Sequence, residues 1–268
     1  MDIGDKAALM ANPVQLTIAG QTATITLDRP PINALDLPTL EALVAAIRTA
    51  GADDRARVII LKSANPRIFS AGLDLRAIAG KSRDELRPYL QLLYVHMHEA
   101  QRAAGKPTIA QIAGDARGGG MTLAILCDMI VASRSATFGY PEIDRGVVPA
   151  IHFGHLATIV GRNRAFDLLF TGRSFDAEEA HQLGLVTRLA APEALEATVQ
   201  DLAATLAAKP PEAMRRARAQ FAAKSYPNFA ASVADAAEFF CEIASSPEAQ
   251  EGLQAFAEKR PPNWADLS

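Results

Sequence analysis

Three consecutive glycines, Gly118, Gly119 and Gly120, interrupt the chain between a strand-like run, Thr108–Ile112, and an apolar segment of helical character ending at Cys127-Asp128. Glycine opens backbone conformations closed to other residues and lets a ligand approach the main chain. A helix starting at such a turn leaves its first N–H groups without partners inside the helix, at the positive end of its dipole. That place suits a negative oxygen, although a lone triplet equally reads as a tight turn packed on a neighbouring strand. Glu142 follows a proline in Phe138-Gly139-Tyr140-Pro141-Glu142 and by itself reads as a surface acid. Asp144, two residues on, would share its side in an extended segment. His152 and His155 have i,i+3 spacing, but no third metal ligand is evident, so polar packing or pocket lining suits them better. Cys127 and Cys241, far apart in apolar surroundings, read as buried thiols of a reducing compartment.

These groups need elements to position them. Val14–Ile18 and Thr22–Leu27 alternate around Ala19-Gly20-Gln21 as a hairpin. Asp36 caps a helix running to about Ala50, with Gly51 as its stop. Val58–Leu61 reads as a buried strand, and Arg83–Ala104 as one long helix ended by Gly105. Short strands at Met129–Ala132 and Thr137–Gly139 follow the glycine turn, and beyond Pro149 the pattern is almost wholly helical. Strands alternating with helices and then yielding to helices predict an α/β core with a helical C-terminal region.

The bulk properties exclude several classes. A net charge of −3 over 268 residues argues against a general polyanion binder. Arg76, Lys81, Arg83 and Arg87 are interrupted by acids and read as a solvated helix face. The opening MDIGDKAALMANP carries two acids and no long apolar core, so it does not read as a secretory signal. The longest apolar run, Gly118–Cys127, is far short of the roughly 20 residues a membrane helix needs. The expectation is a cytoplasmic protein without membrane contact. No Gly-x-Ser-x-Gly elbow or phosphate-binding Gly-x-x-x-x-Gly-Lys loop occurs.

Several short signals recur in a fixed order: Arg29-Pro30-Pro31-Ile32-Asn33-Ala34-Leu35, Phe69-Ser70-Ala71-Gly72-Leu73-Asp74-Leu75, the glycine segment, Phe138–Glu142, and Thr171-Gly172-Arg173 with Gly184-Leu185-Val186 behind it. With a C-terminal Gly252, Ala255-Phe256 and Glu258-Lys259-Arg260, this order resembles the crotonase superfamily, the enoyl-CoA hydratase/isomerase family, over nearly the whole chain. The resemblance implies a crotonase-like spiral of ββα units over residues 1–195. It implies a helical C-terminal oligomerisation region over 196–268, building a homotrimer or a dimer of trimers.

The resemblance further implies an acyl-CoA substrate whose thioester enolate is stabilised by the N–H groups of Leu73 and Gly119, an oxyanion hole. No cofactor or metal beyond the coenzyme A thioester is implied. Hydratases of the family place one glutamate at the position of Thr122 and a second at that of Glu142; here the first is missing. A threonine hydroxyl can anchor a water but is a poor proton acceptor. Dienoyl-CoA isomerases match less well, since their aspartates fall at Thr122 and near Ala150. A single glutamate resembles the Δ3-Δ2-enoyl-CoA isomerases, with Glu142 as base and Thr122 or Asp144 as possible accessories. Hydration is the alternative, and a non-catalytic acyl-CoA binder or an RNA-binding relative is the alternative of another class. After Pro149 the family commonly runs glycine-rich, whereas this chain reads Ala150-Ile151-His152-Phe153-Gly154-His155. For coenzyme A, the resemblance places the adenine near Ala71 and Asp74, the phosphates near Arg29, and Phe256 and Lys259 reaching in from a neighbouring subunit.

Overall fold

The computed structural model describes residues 12–225 and 227–264. The reading of the N-terminus as no secretory signal therefore falls largely on residues outside those described. The expected hairpin forms from β1 (Val14–Ala19) and β2 (Thr22–Leu27), paired from Val14↔Leu27 to Ala19↔Thr22. The chain continues through β3 (Ala34–Leu35), α1 (Leu37–Ala52), β4 (Val58–Ser63), β5 (Ile68–Ser70), β6 (Gly72–Leu73), α2 (Leu75–Ile78) and α3 (Arg83–Leu90). A π-helical segment, Gln91–His96, joins α3 to α4 (Met97–Ala104). Then come β7 (Thr108–Ile112), β8 (Asp115–Arg117), α5 (Gly119–Ile125), β9 (Met129–Ser133) and β10 (Thr137–Gly139). After a 3-10 turn at Ile143–Arg145 follow α6 (Ala150–Val160), α7 (Arg162–Phe170), β11 (Ser174–Asp176), α8 (Ala177–Gln182) and β12 (Arg188–Ala190). Helices α9 (Leu195–Ala207), α10 (Pro211–Ser225), α11 (Phe229–Ala244) and α12 (Pro247–Glu258) complete the described chain.

One sheet has the order β1-β2-β4-β7-β9-β12 and is parallel from β2 onward; a smaller one has the order β11-β10-β8-β5. The pairs β4–β5, β7–β8 and β9–β10 each place one strand in each sheet before the chain turns into helix, and this repeat is the spiral. The parallel strands are covered on both faces, which explains their nearly unbroken apolar runs. Along β4 the alternation sends Val58 and Ile60 to one side and Ile59 and Leu61 to the other. Val58, Ile60, Ile109 and Val131 pack with Leu195, Val199 and Leu202 of α9, while Ile59, Leu61, Ala110 and Ile112 face the main core. Residue 195, where the core was expected to give way to the C-terminal region, is thus the first residue of a helix lying on the large sheet. Helix α11 buries Val233, Ala237, Phe240 and Cys241 in the main core, whereas α10 buries none of its described residues.

Two local expectations change. Asp36 does cap α1, accepting from Thr39 N at 3.0 Å, but the helix runs through Gly51 to Ala52. A Cβ at Gly51 would lie 2.8 Å from Ala104 Cα, so that glycine permits helix contact instead of ending a helix. The single helix expected over Arg83–Ala104 is divided into α3 and α4 by the π segment Gln91–His96. Arg83 and Arg87, read as solvated, pair with Glu238 of α11 at 3.2 and 2.9 Å. Both cysteines are free and buried, and burial pushes the Cys241 thiol up to about 11.

Candidate active site

Two glycine turns meet main chain to main chain. Gly118, between β8 and α5, has φ 51° and ψ −118°, and Gly72 has φ 90°. A Cβ at Gly72 would sit 2.8 Å from Gly119 N, and one at Gly120 would sit 2.5 Å from Ser70 O. Only glycine allows this approach. Ser70 Oγ holds the first turn, accepting from Gly72 N at 3.1 Å and donating to Asn33 O at 2.7 Å. Leu73 and Gly119 consequently border the same space, with Leu73 N 3.2 Å from where a Gly119 Cβ would stand. Gly119 is the first residue of α5, so its N–H has no acceptor inside that helix.

That space is a cavity of about 960 Å³, whose lining includes Arg29, Pro31, Val147, Phe240 and Phe256. Glu142 lines it beside the glycine turn: a Cβ on Gly118 would come within 3.0 Å of Glu142 Oε1. Its Oε2 is shielded from solvent and has no hydrogen-bond partner among the described residues. Burial pushes the carboxyl up to about 7, only partly opposed by its own backbone N–H and by Arg145. Tyr94, in the π segment, lines the same wall, and burial and the Glu142 charge both raise its phenol. Gly118→Ala should therefore lower kcat by displacing the carboxylate, with KM less affected; steady-state kinetics on a variant with an unchanged circular dichroism spectrum checks this.

The two possible accessories are not at this point. Thr122 is fully buried, lies outside the cavity wall, and has Oγ1 3.2 Å from His152 Nε2. Asp144 is exposed on the 3-10 turn and stands against Gly172, whose Cβ would be 2.8 Å from Oδ2. It faces away from the cavity because the turn that presents Glu142 is not extended, so the two acids do not share a side.

The residues assigned to coenzyme A are only partly brought together. Ala71, Asp74 and Arg29 line the cavity. Arg29, however, bonds to Asp36 at 2.9 Å, Asp74 at 3.0 Å and Ala34 O at 2.9 Å, so its guanidinium is already committed. Asp74 also caps α2. Arg76, read from the sequence as solvated, lines the cavity near them. Phe256 reaches the cavity of its own chain, with the Arg145 guanidinium 4.9 Å from its ring centroid. Lys259 is the exposed left-handed cap of α12 at φ 57° and does not line the cavity. Tyr94, Arg145 and Phe240 were missed. Each lies in a helix or turn whose sequence shows no motif, and only the packing of α11 and α12 on the core brings them together.

The model of the enoyl-CoA hydratase/isomerase family matches residues 17–267. The chain belongs to that family. It is 34% identical over 241 residues to a probable mitochondrial enoyl-CoA hydratase 2 of Arabidopsis thaliana, covering 89% of this chain and 79% of that one. It is 32% identical over 260 residues to a putative enoyl-CoA hydratase/isomerase, YngF, of Bacillus subtilis, covering 94% and 97%. Among solved structures it resembles an enoyl-CoA hydratase from Bacillus halodurans, with a TM-score of 0.85 and 26% identity over 91% of this chain and 99% of the other. The fold is the crotonase fold, and this member of the enoyl-CoA hydratase/isomerase family is an enzyme of the crotonase superfamily. No helix among the described residues of this family member is long and apolar enough to cross a membrane.

Proposed function

We propose that this enzyme is an enoyl-CoA isomerase, moving the double bond of a 3-enoyl-CoA into conjugation with its thioester, with Glu142 as the one base. The observation that carries this reading is the pairing of Thr122 with His152 in the interior. The position of a second carboxylate is filled by a neutral, buried hydroxyl, and among the described carboxylates Glu142 alone stands beside the glycine turn. The cavity's aspartates, Asp28, Asp36 and Asp74, lie instead at the Arg29 end.

In this mechanism the thioester oxygen accepts from Leu73 N and Gly119 N. Glu142 takes a proton from C2, and the C–H electron pair moves into an enolate whose charge rests on that oxygen. The electrons then return as the C2=C3 bond while C3=C4 opens, and Glu142 delivers the same proton to C4. One proton leaves C2, one arrives at C4, and no water is consumed. A carboxyl near 7 can both accept and release a proton at neutral pH. The phosphates of coenzyme A would meet Arg76 at the loop end, since Arg29 is occupied by two carboxylates.

Hydration of a 2-enoyl-CoA is the second reading, favoured by the names of relatives such as the short-chain-enoyl-CoA hydratase of Clostridium acetobutylicum. Rates on matched 3-enoyl-CoA and 2-enoyl-CoA substrates separate the two. Isomerisation is expected to be the faster, and faster hydration by the unaltered enzyme would reject the isomerase reading.

A homotrimer or dimer of trimers is part of the same proposal. Phe166, Phe170 and Phe239 are exposed, and they adjoin Phe153 in one aromatic cluster with centroid distances of 4.3–6.3 Å. A contiguous apolar patch of that kind suits a subunit contact. Light scattering at micromolar concentration should give three or six times 28.5 kDa. An active monomer would remove this part of the proposal.

A further inference from the structure

Beneath the catalytic glutamate lies a buried layer of polar side chains that the proton transfer itself does not use. Thr122 follows Gly118 by one helical turn, its N–H bonding to Gly118 O at 3.1 Å across the start of α5. Gly118 borders Glu142, a Cβ there coming within 3.0 Å of Oε1, and Thr122 lies one turn further into the buried interior. His152, on α6, is fully buried and reaches Thr122 Oγ1 with Nε2. Its ring also meets Tyr140 edge-on at a centroid distance of 4.5 Å. Tyr140 precedes Glu142 by two residues, and its phenol feels the Glu142 charge. His152 Nδ1 and Tyr140 Oη have no hydrogen-bond partner among the described residues. Buried polar groups left unpaired are destabilising, and a purely structural floor would be better built from apolar side chains. The layer thus has a shape that Thr122 and His152 hold jointly.

We propose that Thr122 and His152 act as one reaction-determining pair: bonded to each other, they fill the ground beneath Glu142 that a second carboxylate and an activated water would need. This rests on the isomerase reading and adds to it the residues that enforce it. Hydration must break an O–H bond of water, form C3–O and deliver a proton to C2, so it needs a water and a group to hold it. With the floor closed, the proton Glu142 removes from C2 has no nearby water to exchange with and returns to C4. His152 is a positioning residue here. It acts through Thr122 and through the volume it occupies.

The test is isomerisation of a 3-enoyl-CoA in D2O, with deuterium at C4 of the product read by mass spectrometry. The unaltered enzyme is expected to transfer mostly protium. His152→Gly, and Thr122→Ala, which breaks the bond and vacates volume, should each raise deuterium incorporation at least threefold by admitting water beside Glu142. Loss of stability alone would not move that isotope content. In parallel, Thr122→Glu alone should change the ratio of hydration to isomerisation less than threefold, because the new carboxylate meets His152. Thr122→Glu with His152→Gly should raise the ratio at least tenfold. Equal deuterium content in the unaltered and Thr122→Ala enzymes would overturn the proposal, as would Thr122→Glu alone matching the double variant. If the double variant does not fold by circular dichroism, the deuterium comparison decides. Faster hydration than isomerisation by the unaltered enzyme would count against the isomerase reading, while the single-versus-double comparison would still judge the pair.

Discussion

Glu142→Gln should lower isomerisation by roughly 10²- to 10⁴-fold, the range expected when a general base is replaced by an amide of the same shape. The amide fills the same space beside Gly118, so acyl-CoA affinity, measured by calorimetry, should change little. A Glu142→Gln variant that keeps more than a tenth of the activity would remove Glu142 from its role. In the unaltered enzyme kcat/KM should climb about tenfold per pH unit below pH 7 and level off above it. The reason is that only the ionised carboxylate accepts a proton and burial holds it neutral up to about 7.

The same substitution should make the protein more stable at alkaline pH. The Glu142 carboxyl is raised from 4.5 to about 7 in the substrate-free fold. Between those values the folded chain holds a proton that the unfolded chain has lost, so stability falls as pH rises. The stabilising preference for the neutral acid is complete below pH 4.5 and gone above 7. The cost of the buried charge at high pH is on the order of 3 kcal/mol. Melting curves of the unaltered and Glu142→Gln proteins should therefore nearly coincide at pH 5 and separate at pH 8.5, with the glutamine variant higher. A site residue whose removal stabilises the fold is one kept for its chemistry.

Much of this was legible because the motifs sit where backbone geometry leaves few choices. Gly72 and Gly118 need left-handed conformations and a close approach, and a glycine in a short signal announces both. The hairpin, β4, β7 and β9 are long and apolar enough for their pattern to show. Strands β3, β5, β6, β8, β11 and β12 are two or three residues long, and no periodicity exists over such lengths. Gly51 shows how one residue type serves two purposes: the sequence marks it as a stop, and the structure uses its missing Cβ to seat Ala104. Thr122 was visible as a departure from the family's glutamate, and His152 as a departure from its glycine-rich run. That the two departures touch, thirty positions apart, is settled only by the tertiary fold that brings His152 of α6 to Thr122 of α5. Arg29 shows what the sequence leaves out: its place beside the loop was legible, and its ion pairs with Asp36 and Asp74 were not.

Gly119→Pro is expected to abolish measurable turnover, and Gly119→Ala is the control that makes the result interpretable. Gly119 opens α5, the one helical position where proline fits well, because the N–H it removes has no partner inside the helix. Both substitutions add a Cβ that must share space with Leu73 N at 3.2 Å, Leu93 Cδ2 at 3.2 Å and Leu35 Cδ1 at 3.3 Å. A few tenths of an ångström of adjustment in two leucine side chains is a cost the alanine variant carries as well. Proline in addition removes the hydrogen-bond donor and puts a ring carbon on the nitrogen that Gly72 approaches. If Gly119 N stabilises the enolate oxygen, kcat of the proline variant should lie a further 10²- to 10³-fold, about 3–4 kcal/mol, below that of the alanine variant. Circular dichroism and melting curves are read beside the kinetics, and the comparison is made between variants that keep the fold, because the proline ring adds a contact with Gly72 that alanine does not. Equal activity of the folded Gly119→Pro and Gly119→Ala proteins would take the enolate's charge away from this backbone N–H, and with it the half of the oxyanion hole assigned to the glycine triplet.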